Sequence, residues 1–223
     1  MMNILPIRFQ RGHIFVEIGG NLWLLDTGAP TSFGSPRLLT IAGEQFNLET
    51  SYLGLTAATL SSFVGVPCVG LIGADVLGHF DHIFDVARDS LTVSTTELSH
   101  SGQSVCLDEL QGIPIFTARI GGANYRMFFD TGAQISYFQD DSLTKFPFRE
   151  TVPDFYPGIG QFQTDTYDVP VWIGGVKFIL RCGKLPDPLG AALTMAGVSG
   201  IVGNQILVNR TVGYFPRRHT LVL

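Results

Sequence analysis

Asp-Thr-Gly-Ala occurs twice in this chain, in "LLDTGAPTSF" (24–33) and in "FFDTGAQISYF" (128–138). Each copy follows an apolar run and precedes a serine and an aromatic. A repeat constrains architecture more than any local propensity does, and here the match extends past the tetrapeptides. Upstream, "FVEIGG" (15–20) corresponds to "TARIGG" (117–122): a strand, then Gly-Gly as a hairpin turn. The next strands, "NLWLL" and "YRMFF", run directly into Asp26 and Asp130. Downstream, "IGADVLGHFDHIFDVARDSLTV" (72–93) aligns without a gap to "VGNQILVNRTVGYFPRRHTLVL" (202–223). Gly73 falls on Gly203, Leu77 on Leu207, Phe84 on Tyr214 and Leu91 on Leu221. Each segment opens with Gly-apolar-apolar-Gly, predicts a helical turn, and ends in a hairpin around Arg-Asp or Arg-His.

The chain therefore reads as two copies of one half-fold, residues 1–97 and 105–223. The polar stretch "STTELSHSGQS" (94–104) joins them, with residues 98–104 as the linker proper. A half of about 100 residues buries too little surface to be comfortably stable alone. The two halves are expected to pack around a pseudo-twofold axis. With 26 glycines, 12 prolines and 17 phenylalanines, the composition favours short strands and tight turns over long helices.

A net charge of −5 and the lack of any Lys/Arg cluster beyond "FPRRH" (215–219) exclude a nucleic-acid footprint. No apolar run is long enough to span a bilayer. Arg8 and Arg11 follow the short N-terminal apolar stretch, the wrong order for a secretory leader, so a cytoplasmic location is expected. Cys68, Cys106 and Cys182 lack metal-type spacing and read as reduced core thiols.

A single Asp-Thr-Gly turn is most simply an Asp side chain bonding its own backbone. Two such turns, equivalent in a twofold repeat, change that reading, because the axis can bring Asp26 and Asp130 face to face. Carboxylates in contact cannot both ionise cheaply. One holds a proton and the other stays charged, which places a general acid and a general base at one point. Thr27, Gly28, Thr131 and Gly132 are expected to hold the two carboxyl groups coplanar, through hydroxyl and backbone N–H donors.

The paired Asp-Thr-Gly-Ala turns, followed by Gly-Leu-Ile-Gly (70–73) and Gly-Ile-Val-Gly (200–203), resemble the aspartic peptidases of the retropepsin and pepsin clan. The resemblance runs from about residue 12 to residue 223, and residues 70–93 look like the end of bacterial retropepsin-like domains. It implies an all-β, bilobal acid-protease fold: two retropepsin-like β-barrel lobes with short helices and a cleft between them. It also implies an endopeptidase acting on peptide or protein substrates through an Asp26/Asp130 water, as a monomer without cofactor or metal. The dyad of this clan is the standard example of coupled carboxylates, so that chemistry is carried over from it. Ala29 and Ala133 match retropepsins where pepsins usually carry Ser or Thr, which implies activity at less acidic pH. Pro30 departs from the pattern and implies a stiffer side of the cleft. No pro-segment of the pepsin kind is expected.

Other readings compete. "HFDHIFD" (79–85) places His79 and His82 three apart, but their partners in the repeat are Asn209 and Val212, and a metal needs three or four ligands. Surface or half-buried histidines are expected instead. The Gly-Gly pairs at 19–20, 121–122 and 174–175 lack nucleotide-loop spacing. A sugar-kinase or actin-like ATPase, where Asp-x-Gly turns also recur, needs longer domains and strand-helix alternation. A catalytically quiet module that binds a peptide or apolar ligand on the same fold is the main alternative to a peptidase.

The halves differ in one place. Asp26 to Gly73 takes 47 residues and Asp130 to Gly203 takes 73, so 26 extra residues fall between about Lys145 and Asp187. "DFYPGIGQFQTDTYDV" (154–169) reads as a hairpin turning at Gly158 and Gly160. Arms of six or seven residues would reach about 20 Å, enough to cross a peptide cleft. One flap carried by the C-terminal half is expected, with Tyr156 or Phe162 facing substrate, and "ETSYLGLTAATL" (49–60) is too short for an equal.

Overall fold

The repeat appears in three dimensions as two matched sets of hairpins in a computed structural model, which describes residues 1–156 and 159–223. Strand makes up 52% of the chain and helix 16%. In the first half, His13–Ile18 pairs with Asn21–Leu25 across Gly19 and Gly20, at φ 59° and 78°. In the second, Ile113–Ile120 pairs with Ala123–Phe129 across Gly121 and Gly122, at φ 57° and 91°. Two successive left-handed residues are what a type I′ turn requires, and glycine supplies them without strain. The correspondence also continues upstream. Arg11-Gly12 (φ 49° and 80°) and Gln111-Gly112 (φ 54° and 78°) make the preceding turns, after Met2–Gln10 and Asp108–Leu110.

The Gly-apolar-apolar-Gly runs become the short central strands Gly70–Ile72 and Gly200–Val202. Each is parallel to the strand that delivers the aspartate, with Leu24 opposite Leu71 and Phe128 opposite Ile201. Each is antiparallel to the strand beyond the turn, Phe33–Gly34 or Ser136–Phe138. The glycines are there for space. A Cβ on Gly70 would sit 2.2 Å from the Phe33 carbonyl oxygen, and one on Gly200 2.1 Å from that of Tyr137. At Gly73 and Gly203 it would meet the carbonyl oxygens of Ala29 and Ala133 at 2.5 and 2.6 Å.

The two halves share one sheet. Asp81–Asp85 and Ser90–Ser94 form the first terminal hairpin, Thr211–Phe215 and Thr220–Val222 the second, and Asp81–Asp85 pairs antiparallel with Thr211–Phe215. In that pairing His82 lies opposite Tyr214, Ile83 opposite Gly213 and Phe84 opposite Val212. Since Phe84 and Tyr214 are equivalent in the repeat, a twofold relation passes through the Ile83–Gly213 pair. Phe84, Leu91, Tyr214 and Leu221 are buried beneath it in a core that also takes Trp23 and Phe129. Asp81 is fully buried, held by Arg217 at 2.8 Å and by Arg218, and it accepts the Leu98 N–H at 2.8 Å. The linker is thereby tied to the shared sheet.

His82 departs from the expectation of a surface or half-buried residue. It is fully buried, flanked by Phe84 and Tyr214, and its Nε2–H donates to the Leu77 carbonyl at 2.8 Å. An apolar strand facing the joint between halves has no exposed side there. His79 is exposed. Cys68 and Cys182 are buried thiols, but Cys106 is exposed, because Ser104–Cys106 covers the sheet edge at Thr220–Val222 and turns that side chain outward.

The extra residues of the second half build a long hairpin. Phe148–Tyr156 pairs with Gly160–Ile173, which continues against Val176–Gly183. A helix follows in each half at the equivalent place. Ala57–Val64 starts at a capping box in which Thr56 and Thr59 bond each other's backbone N–H, and it buries Leu60 and Val64. Asp187–Met195 starts after Pro186, with Asp187 in its first turn.

Candidate functional site

Asp26 and Asp130 stand at the ends of Asn21–Leu25 and Ala123–Phe129. Their backbone N–H groups donate to Ile72 and Val202, each at 3.0 Å. The Gly28 N–H donates to Asp26 Oδ1 at 2.9 Å. Gly132 and Ala133 N–H donate to Asp130 Oδ1 at 2.8 and 3.1 Å. The turns meet face to face. A Cβ on Gly28 would lie 2.3 Å from Asp130 Cγ, and one on Gly132 2.5 Å from Asp26 Cγ. Neither glycine has a left-handed φ, so glycine is required here to admit the opposite carboxyl group.

The two carboxyl groups face each other across the turns, and carboxylates this close favour holding one proton between them. Burial, and then the charge of Asp130, pushes Asp26 well above the usual carboxylate range. Burial also raises Asp130, while the Asp26 carboxyl facing it and the Ala133 and Gly132 N–H groups pull it back. The pair titrates as a unit, and burial makes it take up its first proton above the ordinary carboxylate range.

The threonines do something other than expected. Their hydroxyls do not reach the carboxylates. Thr27 Oγ1 donates to the Phe129 carbonyl at 2.7 Å and accepts the Thr131 N–H at 3.0 Å. Thr131 Oγ1 donates to the Leu25 carbonyl at 2.9 Å and accepts the Thr27 N–H at 3.0 Å. Both side chains are fully buried. They clamp one turn onto the other, and coplanarity is left to the glycine N–H groups. Behind each turn a serine continues the scaffold: Gly73 N–H donates to Ser32 Oγ at 2.8 Å and Gly203 N–H to Ser136 Oγ at 3.1 Å. Asp75 accepts from Ser32 as well, at 2.5 Å.

Above the aspartates lies a cavity of about 280 Å³ walled by both halves. The long hairpin closes it. Asp154, Phe155 and Tyr156 line the cavity, and Phe155 stacks at 4.8 Å on Phe63, in the helix of the other half. Tyr156 is 37% exposed, and partial desolvation of its phenol, then the charges of Asp130 and Asp26, pushes it up to about 12. Gly160, at φ 90°, ends the turn; Gly158 lies outside the described residues. Phe162 does not line the cavity. It lies across the hairpin from Asp154 and packs against Tyr137 with ring centres 6.3 Å apart. The first half is not bare either: its short hairpin, Ser51–Tyr52 with Leu55–Thr56, brings Tyr52, Leu53 and Leu55 to the cavity. The closure is two-sided and unequal, where a single flap was expected.

His13, Tyr137 and Asp154 also line the cavity and were not singled out from the sequence. His13 is buried, and its Nδ1–H donates to the Gly132 carbonyl at 3.0 Å; burial lowers its pKa. Nothing local marks it. Tyr137 was legible, since it follows Asp130 by the same seven residues that separate Phe33 from Asp26. Among the described residues no three His, Cys, Asp or Glu side chains converge as a metal would need. Among the described residues no helix is long and apolar enough to cross a membrane. Compared with the known protein families and with curated proteins, the chain matches none of them.

Proposed function

We propose that this chain is an aspartic endopeptidase of the retropepsin and pepsin clan, with two retropepsin-like lobes fused in one polypeptide. One observation carries the reading: two carboxyl groups meet at the floor of a cavity, each packed against a glycine of the opposite turn. The charged carboxylate of the pair takes a proton from a water held between Asp26 and Asp130 as that water attacks a peptide carbonyl. Its protonated partner donates a proton to the carbonyl oxygen, and the tetrahedral intermediate collapses as a carboxyl proton passes to the leaving amine. The neutral phenol of Tyr156 and the stacked Phe155 shield the reacting atoms from bulk water. Both aspartates come from one chain, so a second copy is not needed to build the site.

The test is digestion of a peptide library by the wild type and by Asp130→Asn. The variant is expected to lose about 10²–10⁴-fold in kcat/KM, the usual worth of a general base. Its thermal midpoint should not fall, because a buried carboxylate is exchanged for a neutral amide. Substantial cleavage by folded Asp130→Asn would overturn the shared-proton mechanism.

A further inference from the structure

The twofold relation gives the cavity a pocket-forming wall on each side of the dyad, and of the two sets of equivalent floor residues only one carries a polar group. Leu24, Phe33 and Leu71 form the floor of the first; their equivalents in the second are Phe128, Tyr137 and Ile201. The substitution that matters is Phe33 by Tyr137. Phe33 is fully buried in a wholly apolar cluster. Tyr137 carries a hydroxyl that donates to Asp154 Oδ2, on the long hairpin. The Phe155 N–H donates to Asp154 Oδ1 at 2.8 Å. A carboxylate has about four acceptor positions, so roughly half of those on Asp154 stay free to bond a ligand. Asp154 is half-buried in the cavity wall, among the described residues no lysine or arginine lines that cavity, and the His13 Nδ1–H is taken by the Gly132 carbonyl.

We infer that the enzyme cuts between a bulky apolar residue, seated in the Phe33 pocket, and a lysine or arginine whose cation reaches Asp154 in the Tyr137 pocket. This rests on the peptidase reading above and specifies its substrate. Filling the second pocket with an apolar side chain would strip water from a carboxylate and give nothing back, whereas a guanidinium or ammonium replaces that water with a charge-assisted bond. The aliphatic stem of the same side chain suits Phe128 and Ile201. Tyr137 fixes the direction of the carboxylate, and burial beside Asp154 raises its own pKa, so the hydroxyl remains a donor.

The experiment compares kcat/KM for two peptides that differ only in arginine or norleucine at that position, with wild type, Asp154→Asn and Tyr137→Phe. Wild type is expected to favour arginine, and Asp154→Asn to reduce the arginine-to-norleucine ratio about 10–100-fold, the worth of a hydrogen bond to a charged group. Tyr137→Phe keeps the carboxylate and should still favour arginine, which separates charge recognition from mere bracing of the hairpin. A wild type indifferent to arginine, or a ratio unmoved in Asp154→Asn, overturns the inference. If wild type cleaves no peptide of any kind, the peptidase reading fails by itself. The pocket is then judged by fluorescence anisotropy of the two labelled peptides on the same protein: tighter binding of the arginine peptide supports it, and equal binding overturns it.

Discussion

Replacing Thr27 by valine removes one hydroxyl from the clamp between the aspartate turns and leaves the volume almost unchanged. Two bonds disappear, the 2.7 Å bond to the Phe129 carbonyl and the 3.0 Å bond from the Thr131 N–H. Both backbone groups stay in a site with no solvent, and each buried group left unsatisfied costs about 1–3 kcal/mol. The sum is about 2–6 kcal/mol, a large share of the roughly 5–15 kcal/mol that holds a domain folded. With an m-value of about 3 kcal/mol per M, a 3 kcal/mol loss lowers the urea midpoint by about 1 M. Thr27→Ser keeps both bonds and drops one methyl group, so it should cost only about 1 kcal/mol. The Thr27→Val/Thr131→Val pair should cost less than the sum of its parts, since the first change already loosens the second site. Urea unfolding followed by tryptophan fluorescence gives all three values. A Thr27→Val loss under about 1 kcal/mol, or a serine variant as unstable as the valine one, would show that the clamp is not what holds the turns together.

The remaining expectations concern pH. In the proposed mechanism the dyad acts with one proton on the pair, so activity should be bell-shaped. Because burial raises both carboxyl groups, the acid limb should lie above the ordinary aspartate value of about 3.9. A kcat/KM profile with its acid limb below that value would contradict this. His82 supplies a second effect, of known sign. Its pKa is lowered to about 4 by burial, so between pH 6.5 and 4 the unfolded chain binds a proton that the folded one refuses. Stability from this residue is full above pH 6.5 and is lost as pH falls. A shift of about 2.5 units is worth about 3 kcal/mol by pH 4. The stability difference between wild type and His82→Phe should therefore move by about that much between pH 7 and pH 4; a pH-independent difference would refute it.

The repeat was legible because it is carried by residues that nothing else can replace. Gly70 and Gly200 survive where strands cross within 2.2 Å of a would-be Cβ, and Gly28 and Gly132 survive where a carboxyl group fills the space. The hairpin in 148–173 was legible from the length difference alone. What depended on direction was not. The threonine hydroxyls look like carboxylate ligands in sequence, and only the meeting of the two turns shows that the opposite backbone claims them. Phe162 and Tyr156 are equivalent as letters and share a face of the hairpin, but Phe162, opposite Asp154, sits farther from the tip and packs on Tyr137, while Tyr156 lines the cavity. Arg11-Gly12 and Gln111-Gly112 share a backbone conformation without sharing a residue before the glycine, so that part of the repeat left little trace.

The strand pairing at the joint between halves also governs which half can pair with which. Its backbone register is self-complementary, so two copies of either half could in principle align their Asp81–Asp85 or Thr211–Phe215 edges in the same way. Their charges do not allow it equally. Asp81 is equivalent to Thr211 in the repeat, and its partners Arg217 and Arg218 are equivalent to Ala87 and Arg88. Two first halves would bury two aspartates with one arginine each, and two second halves would gather four arginines around threonines. Only the unlike pair matches one buried carboxylate to two guanidinium groups, so an exposed edge on a nascent or unfolding chain is steered to its own other half and away from a neighbour's identical one.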